Sequence, residues 1–131
     1  MDSIIFEHQY TVGGYVTFRI KVTCGEFSGA SNFCISESLL KEAISTLSEL
    51  YNNLKGSYQM NDYDSNDFIL FEFLERGKMK ITGQVGGSFR EQYLNYQFIT
   101  DQTLLGEIIS SLKRLLSSTR GVKEWLKEQN S

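Results

Sequence analysis

Three aspartates within six residues, Asp62-Tyr63-Asp64-Ser65-Asn66-Asp67, form the densest group of side chains in this sequence that could do chemistry. Oxygens at the first, third and fifth positions are how a calcium loop begins. Such a loop needs glycine sixth, for its sharp turn, and a bidentate glutamate twelfth. Here those positions are Asp67 and Phe73, so the turn and the last two metal oxygens are both missing. The run reads instead as an exposed turn rich in Asp and Asn. Its three charges, on Asp62, Asp64 and Asp67, are the candidate contacts to a partner.

The remaining reactive residues form no constellation. His8 is the sole histidine and no nucleophile signature surrounds it, so it is read as an edge-strand histidine open to solvent rather than as a catalytic base. One histidine with Cys24 and Cys34 at this spacing does not make a zinc site. The cysteines read as small hydrophobes on neighbouring strands, and their spacing leaves pairing and free thiols both open. Gly83-Gln84-Val85-Gly86-Gly87-Ser88 lacks the Gly-Lys-Ser/Thr ending of a phosphate loop and is followed by no helix to hold an anion. Glu72 with Glu75, and Glu37 with Glu42, fit solvated faces better than acid–base pairs. The expectation is a non-enzyme with no catalytic residue, no cofactor and no metal.

Bulk properties narrow the class further. A chain of 131 residues with net charge −3 and 40% hydrophobic residues suits one globular domain, taken here as 1–131. Mild acidity argues against nucleic acid as a direct ligand, because phosphate binding calls for a basic face. The first eight residues carry no basic, apolar leader. No run approaches the ~18 apolar residues of a membrane span. The chain is expected to be cytoplasmic.

Local patterning supplies the elements that must position these groups. Residues 4–10 and 15–24 read as strands joined at Gly13-Gly14. In the second, Val16, Phe18, Ile20, Val22 and Cys24 alternate with Thr17, Arg19, Lys21 and Thr23, a half-buried antiparallel pattern. Residues 27–35 return as a third strand, with Gly29-Ala30-Ser31 suggesting a bulge or a close backbone approach. Ser36 caps a helix whose stripe is Leu39, Leu40, Ala43, Ile44, Leu47, Leu50, Tyr51 and Leu54, closed by Gly56. Residues 57–62, 68–75, 79–85 and 92–100 are four more strands. Glu75-Arg76-Gly77-Lys78 makes a tight hairpin, and Gly86-Gly87-Ser88 opens a looser connection running through Phe89-Arg90-Glu91. Thr100 or Asp101 then caps a second helix, carrying Leu104, Leu105, Ile108, Ile109, Leu112, Leu115 and Leu116 to about Ser118. After Gly121, the residues Val122, Trp125 and Leu126 form a short amphipathic tail.

Two striped helices and half-apolar strands predict an α+β two-layer sandwich. A single, mostly antiparallel sheet of six or seven strands would carry both long helices on one face. The sheet's second face, less polar around Phe68 and Leu70, is left for a partner or a second subunit.

Several motifs carry a family resemblance over residues 15–116. They are Phe27-Ser28-Gly29, Leu47-x-x-Leu50-Tyr51-x-x-Leu54-x-Gly56, the strand from Phe68 to Phe73, and Arg76-Gly77-Lys78-Met79-Lys80-Ile81 with Gly83. The last is Leu94-x-Tyr96-x-Phe98-x-Thr100-Asp101-Gln102-Thr103-x-Leu105. Together they resemble the WapI-type immunity proteins, small bacterial cytoplasmic proteins. The resemblance implies stoichiometric occlusion of a cognate toxin domain, of nuclease type for the named member. A small-ligand-binding or homo-oligomeric structural domain without catalysis is the alternative. Convergent buried polar groups would mark the ligand carrier, and concentration-dependent sedimentation the oligomer.

Overall fold

The computed structural model describes residues 2–86 and 92–129, with side chains placed as far as Thr119. Seven antiparallel strands and two long helices form an α+β domain. The strands are β1 Ser3–Val12, β2 Tyr15–Cys24, β3 Phe27–Ser36, β4 Ser57–Asn61, β5 Phe68–Phe73, β6 Lys78–Val85 and β7 Leu94–Asp101. The helices are α1 Glu37–Asn53 and α2 Gln102–Gln129. The strands divide into two sheets, ordered β1-β2-β3 and β4-β5-β6-β7, rather than forming the single sheet that patterning alone suggested. The connection through Phe89-Arg90-Glu91 lies outside the described residues.

Local chemistry sets the element ends. Ser36, extended at φ −68 and ψ 155, accepts a hydrogen bond from the amide of Leu39 and so caps α1. Asp101, rather than Thr100, does this for α2, accepting from the amide of Thr103 at 2.9 Å. The left-handed position closing α1 falls on Leu54 at φ 54, whose amide donates to Leu50 O, while Gly56 follows at φ 101. The α2 backbone runs unbroken through Gly121, so the separate tail is one helix with the stripe. The register of β2 with β3 is continuous through Gly29-Ala30-Ser31. The irregularity lies instead in β1, between His8 and Tyr10. Gly29 marks the close approach: a methyl there would sit 3.0 Å from the Val85 side chain and 3.1 Å from Leu94.

One apolar core joins both sheets and both helices. The fully buried Phe18, Phe33, Leu47, Phe71, Ile81 and Leu112 all belong to it. α1 and α2 pack on each other, α1 meeting β3 and β4, and α2 meeting β1, β2 and β7. Among the described α2 stripe residues, Leu105, Ile108, Ile109, Leu112 and Leu115 are buried and Leu104 and Leu116 half-buried, as periodicity predicts. α1 buries less than its stripe suggests. Leu40, Ala43 and Leu47 are buried, Ile44 and Leu50 half-buried, and Leu39, Tyr51 and Leu54 exposed. An apolar stripe fixes a helix's azimuth, but its width on the helix exceeds the contact that two neighbours supply.

In the second sheet Gly83 lies opposite Tyr96. A methyl on Gly83 would collide with the Tyr96 hydroxyl and approach Phe68 O to 2.6 Å, so the missing side chain is what lets the ring fit. The Tyr96 hydroxyl is buried and has no hydrogen-bond partner among the described residues. Burial first, and the nearby Asp67 second, push its pKa well above the usual tyrosine value of 10.0. Tyr96→Phe is therefore expected to be neutral or stabilising by up to ~1 kcal/mol, since an unsatisfied polar atom leaves the core. The raised pKa contributes stability that is complete below the unfolded value near 10.0 and declines as pH rises above it. Tyr96→Phe should accordingly flatten the alkaline loss of stability. Urea melts of both chains at pH 8 and pH 11 check this, and an unchanged alkaline slope would contradict it.

Candidate functional site

The Asp62–Asp67 turn joins β4 to β5, and the structure places its three aspartates in different surroundings. Asp64 is exposed, as expected of the turn. Asp62 and Asp67 are only 7% and 1% exposed, which corrects the reading of all three as surface charges. Asp62 Oδ1 accepts the amide of Cys34 at 2.8 Å, and Oδ2 accepts the hydroxyl of Ser65. Asp67 accepts the hydroxyl of Ser31 at 3.2 Å, the Gln84 side-chain amide at 3.2 Å and the Gly86 amide at 3.1 Å. The turn closes on itself through the Asp62 amide to Asp67 O and the Asp67 amide to Ser65 Oγ. Carboxylates saturated by such donors hold a shape; their oxygens face protein donors rather than an open coordination sphere.

The turn also seals the free edge of β3. The Tyr63 amide donates to Cys34 O at 2.8 Å while Asp62 takes the Cys34 amide. Both backbone groups of Cys34 are thereby satisfied where β3 has no neighbouring strand. Asp67, bonded to Ser31 of β3 and to Gln84 and Gly86 at the end of β6, ties the two sheets together. The docked turn brings Tyr63 against Tyr15, ring centroids 4.9 Å apart and tilted by 49°.

The Tyr63 hydroxyl, by charge repulsion and then by hydrogen bonding, raises the pKa of Tyr15. On the same outward face β1 presents Tyr10, paired with Thr17, and Val12, paired with Tyr15. Tyr10, Val12, Tyr15 and Tyr63 are 55%, 68%, 38% and 69% exposed, an apolar and aromatic surface, and the exposed Asp64 follows Tyr63 in the chain, near Cys34. Beneath them Cys34 lies opposite Thr17. Burial above all raises the Cys34 pKa; Thr17 opposes this, and the charges of Asp64 and Asp62 add to the rise. Sequence patterning assigned Tyr15 to strand β2 but gave no sign that Tyr63 would meet it. The aromatic cluster is the functional candidate that patterning missed.

The other face singled out from sequence is more mixed. Phe68 and Leu70 on the outer side of β5 are half-buried, next in line to Glu72, which faces Lys80 at 3.8 Å. Two grooves open along the helices. The larger, about 570 Å³, lies between the β1 edge and α2 and includes Ile5, Tyr51, Gly106, Glu107 and Arg114. The second, about 350 Å³, continues past Tyr51 and Gly106 to Lys113.

The remaining candidates have structural surroundings. His8 is half-buried rather than open to solvent, its Nε2 2.9 Å from Thr11 Oγ1. Thr11 in turn meets the buried Thr119 at 3.0 Å, and Thr119 donates to Leu115 O. That last bond uses the Thr119 proton, so Thr11 donates to Thr119 and His8 Nε2 donates to Thr11. His8 thus helps pin β1 to α2. Cys24 and Cys34 are free thiols. Cys34 pairs with Thr17 in the register, seven positions along β2 from Cys24. That is ~23 Å of strand at 3.3 Å per residue, far beyond the ~7 Å reach of a disulfide. Among the described residues no group of three or more His, Cys, Asp or Glu is placed to hold a metal, and no helix is long and apolar enough to cross a membrane.

Comparison with known proteins places this geometry in a family. No curated protein and no solved structure matches the chain. The family described as Immunity protein WapI-like matches residues 5–119, which takes in β1 from Ile5, strands β2 to β7, α1 and α2 as far as Thr119. This chain belongs to the WapI-like immunity protein family.

Proposed function

We propose that this protein is a cytoplasmic immunity protein that binds a cognate toxin domain of nuclease type and neutralises it by stoichiometric occlusion, without catalysis. The observation that carries the reading is the family match over residues 5–119. The net charge of −3 supports it, because an acidic inhibitor approaches a basic nuclease with a fast, salt-sensitive on-rate. In this reading Asp64 contacts the toxin directly, while Asp62 and Asp67 hold the turn that presents it.

The test is co-expression with candidate toxin domains, the C-terminal domains of large secreted proteins from the same genome. Cells are expected to survive only when this chain is made, and purified components should form a one-to-one complex whose association slows as salt rises. Toxicity untouched by a soluble, folded chain would overturn the reading. A homodimer is the second reading, favoured by the exposed Ile5, Tyr10 and Val12 on the edge strand β1. Sedimentation at several concentrations separates it from a monomeric inhibitor.

A further inference from the structure

We propose that the outward face of the first sheet at its Tyr15 end is the toxin-docking surface, and that Tyr15, Tyr63 and Asp64 there receive an arginine side chain of the partner. The inference rests on the toxin-binding reading above and adds the place and the chemistry of contact. The first argument is shape. Tyr10, Val12, Tyr15 and Tyr63 come from two strands and a turn, yet they lie together, exposed, on a face turned away from the core. Tyrosines at such a place give a rigid, amphipathic contact area at small entropic cost.

The second argument is charge. Asp62 and Asp64 lie under and beside this face, close enough for both to disfavour the Cys34 thiolate. Among the described residues the ion pairs are Lys21–Glu7, Lys41–Glu37 and Lys80–Glu72; no lysine or arginine pairs with Asp62 or Asp64. Asp62 is held by neutral donors, the Cys34 amide and the Ser65 hydroxyl. The face therefore carries a negative field that no ion pair among the described residues compensates. Tilted phenol rings beside uncompensated carboxylates suit a planar cation that stacks on a ring and donates to a carboxylate at once. Guanidinium does both, whereas ammonium is a hydrated point charge.

The third argument is rigidity. The turn is fixed to β3 through both backbone groups of Cys34 and to β6 through Asp67. The amide of Glu37 donates to Gly14 O at 2.8 Å, which holds the β1–β2 turn beside Tyr15 against the start of α1. The tyrosines are thus presented on a braced surface, and little ordering cost is left for binding.

Two measurements test this. In the first, a capped triarginine peptide is titrated into the whole chain while backbone amide shifts are followed. Shifts are expected at Tyr15, Cys34, Tyr63 and Asp64, smaller with capped trilysine, and lost in Asp64→Asn and in the Tyr15→Ala, Tyr63→Ala double variant. Shifts spread evenly over acidic residues, or equal for the two peptides, overturn the proposal. In the second, the toxin domain that this chain neutralises in the co-expression test replaces the peptide. Asp64→Asn and the double alanine variant are each expected to weaken binding by roughly a hundredfold, the size of a hot-spot loss. Tyr15→Phe with Tyr63→Phe should retain most of the affinity. Asp64 is exposed, so its variant reports on contact even if the alanine pair melts early.

A parent that protects, with variants protecting equally, sinks the site and leaves the immunity reading intact. A parent that neither binds nor protects sinks the immunity reading, and the peptide titration then decides the arginine site alone. A parent dimer that the variants convert to monomer makes the face a self-interface and overturns the proposal.

Discussion

Ile108→Asp is expected to leave the chain unfolded at room temperature. Ile108 is 1% exposed, midway along the α2 stripe, with Leu105 and Leu112 a turn to either side at 0%. Aspartate there forfeits the transfer energy of the isoleucine, ~2–3 kcal/mol. It also buries a carboxyl among hydrocarbon, where it must stay ionised without a partner or bind a proton at a further cost. The total exceeds ~4 kcal/mol, a large part of the ~5–15 kcal/mol that stabilises a typical domain. Ile108→Val, which removes one methylene, should cost only ~1 kcal/mol. The exposed Ser110→Asp, two residues away, should stay within ~0.5 kcal/mol. Ile44→Asp should be milder than Ile108→Asp because Ile44 is half-buried. Circular dichroism and thermal melts of the four chains measure the series, and an Ile108→Asp melt within about two degrees of the parent would falsify the buried assignment.

The second large effect is expected at Asp67. Asp67→Ala strips the acceptor from the hydroxyl of Ser31, the side-chain amide of Gln84 and the backbone amide of Gly86, at a residue 1% exposed. Buried donors left unpaired cost about 1–3 kcal/mol each unless water reaches them, so a loss of ~3 kcal/mol and roughly 10 °C in Tm is expected. Asp67→Asn keeps the volume but turns two donors toward donors, and should cost about half as much. Asp64→Asn, with its carboxylate in solvent, should leave the melt unchanged. Thermal melts of the three variants therefore separate the aspartate that builds the turn from the one that the turn displays. Equal melting of all three would mean that Asp67 does not join the sheets.

Much of the fold was legible because its causes are short-ranged. The alternation along Tyr15–Cys24 gave the strand and most of its buried face: all ten residues form β2 and Val16, Phe18, Ile20 and Val22 are buried, while Cys24 is only half-buried and Thr17, on the other side, is buried as well. Serine at 36 and aspartate at 101 cap helices because their oxygens reach amides two or three residues on. The α2 stripe found its core because seven residues at helical spacing can be buried in only one way. Where periodicity was the sole guide to extent, it overran: Leu39, Tyr51 and Leu54 share the α1 stripe yet remain at the surface.

The candidate site was not legible in the same way. A run of Asp, Asn and Ser looks solvated because its own donors, such as the Ser65 hydroxyl on Asp62, are too few to satisfy two carboxylates away from water. The donors that bury Asp62 and Asp67 come from Ser31, Cys34, Gln84 and Gly86, 17 to 36 residues distant in the chain. The meeting of Tyr15 with Tyr63 and the division of the strands into two sheets have the same origin. The sequence by itself determined the elements, their caps and most of their buried faces, since hydrogen bonds and side-chain periodicity act within a few residues. Only the tertiary structure decided which strand edges meet, which charges are buried and which tyrosines face outward together, because those outcomes depend on groups brought close by packing of the whole chain.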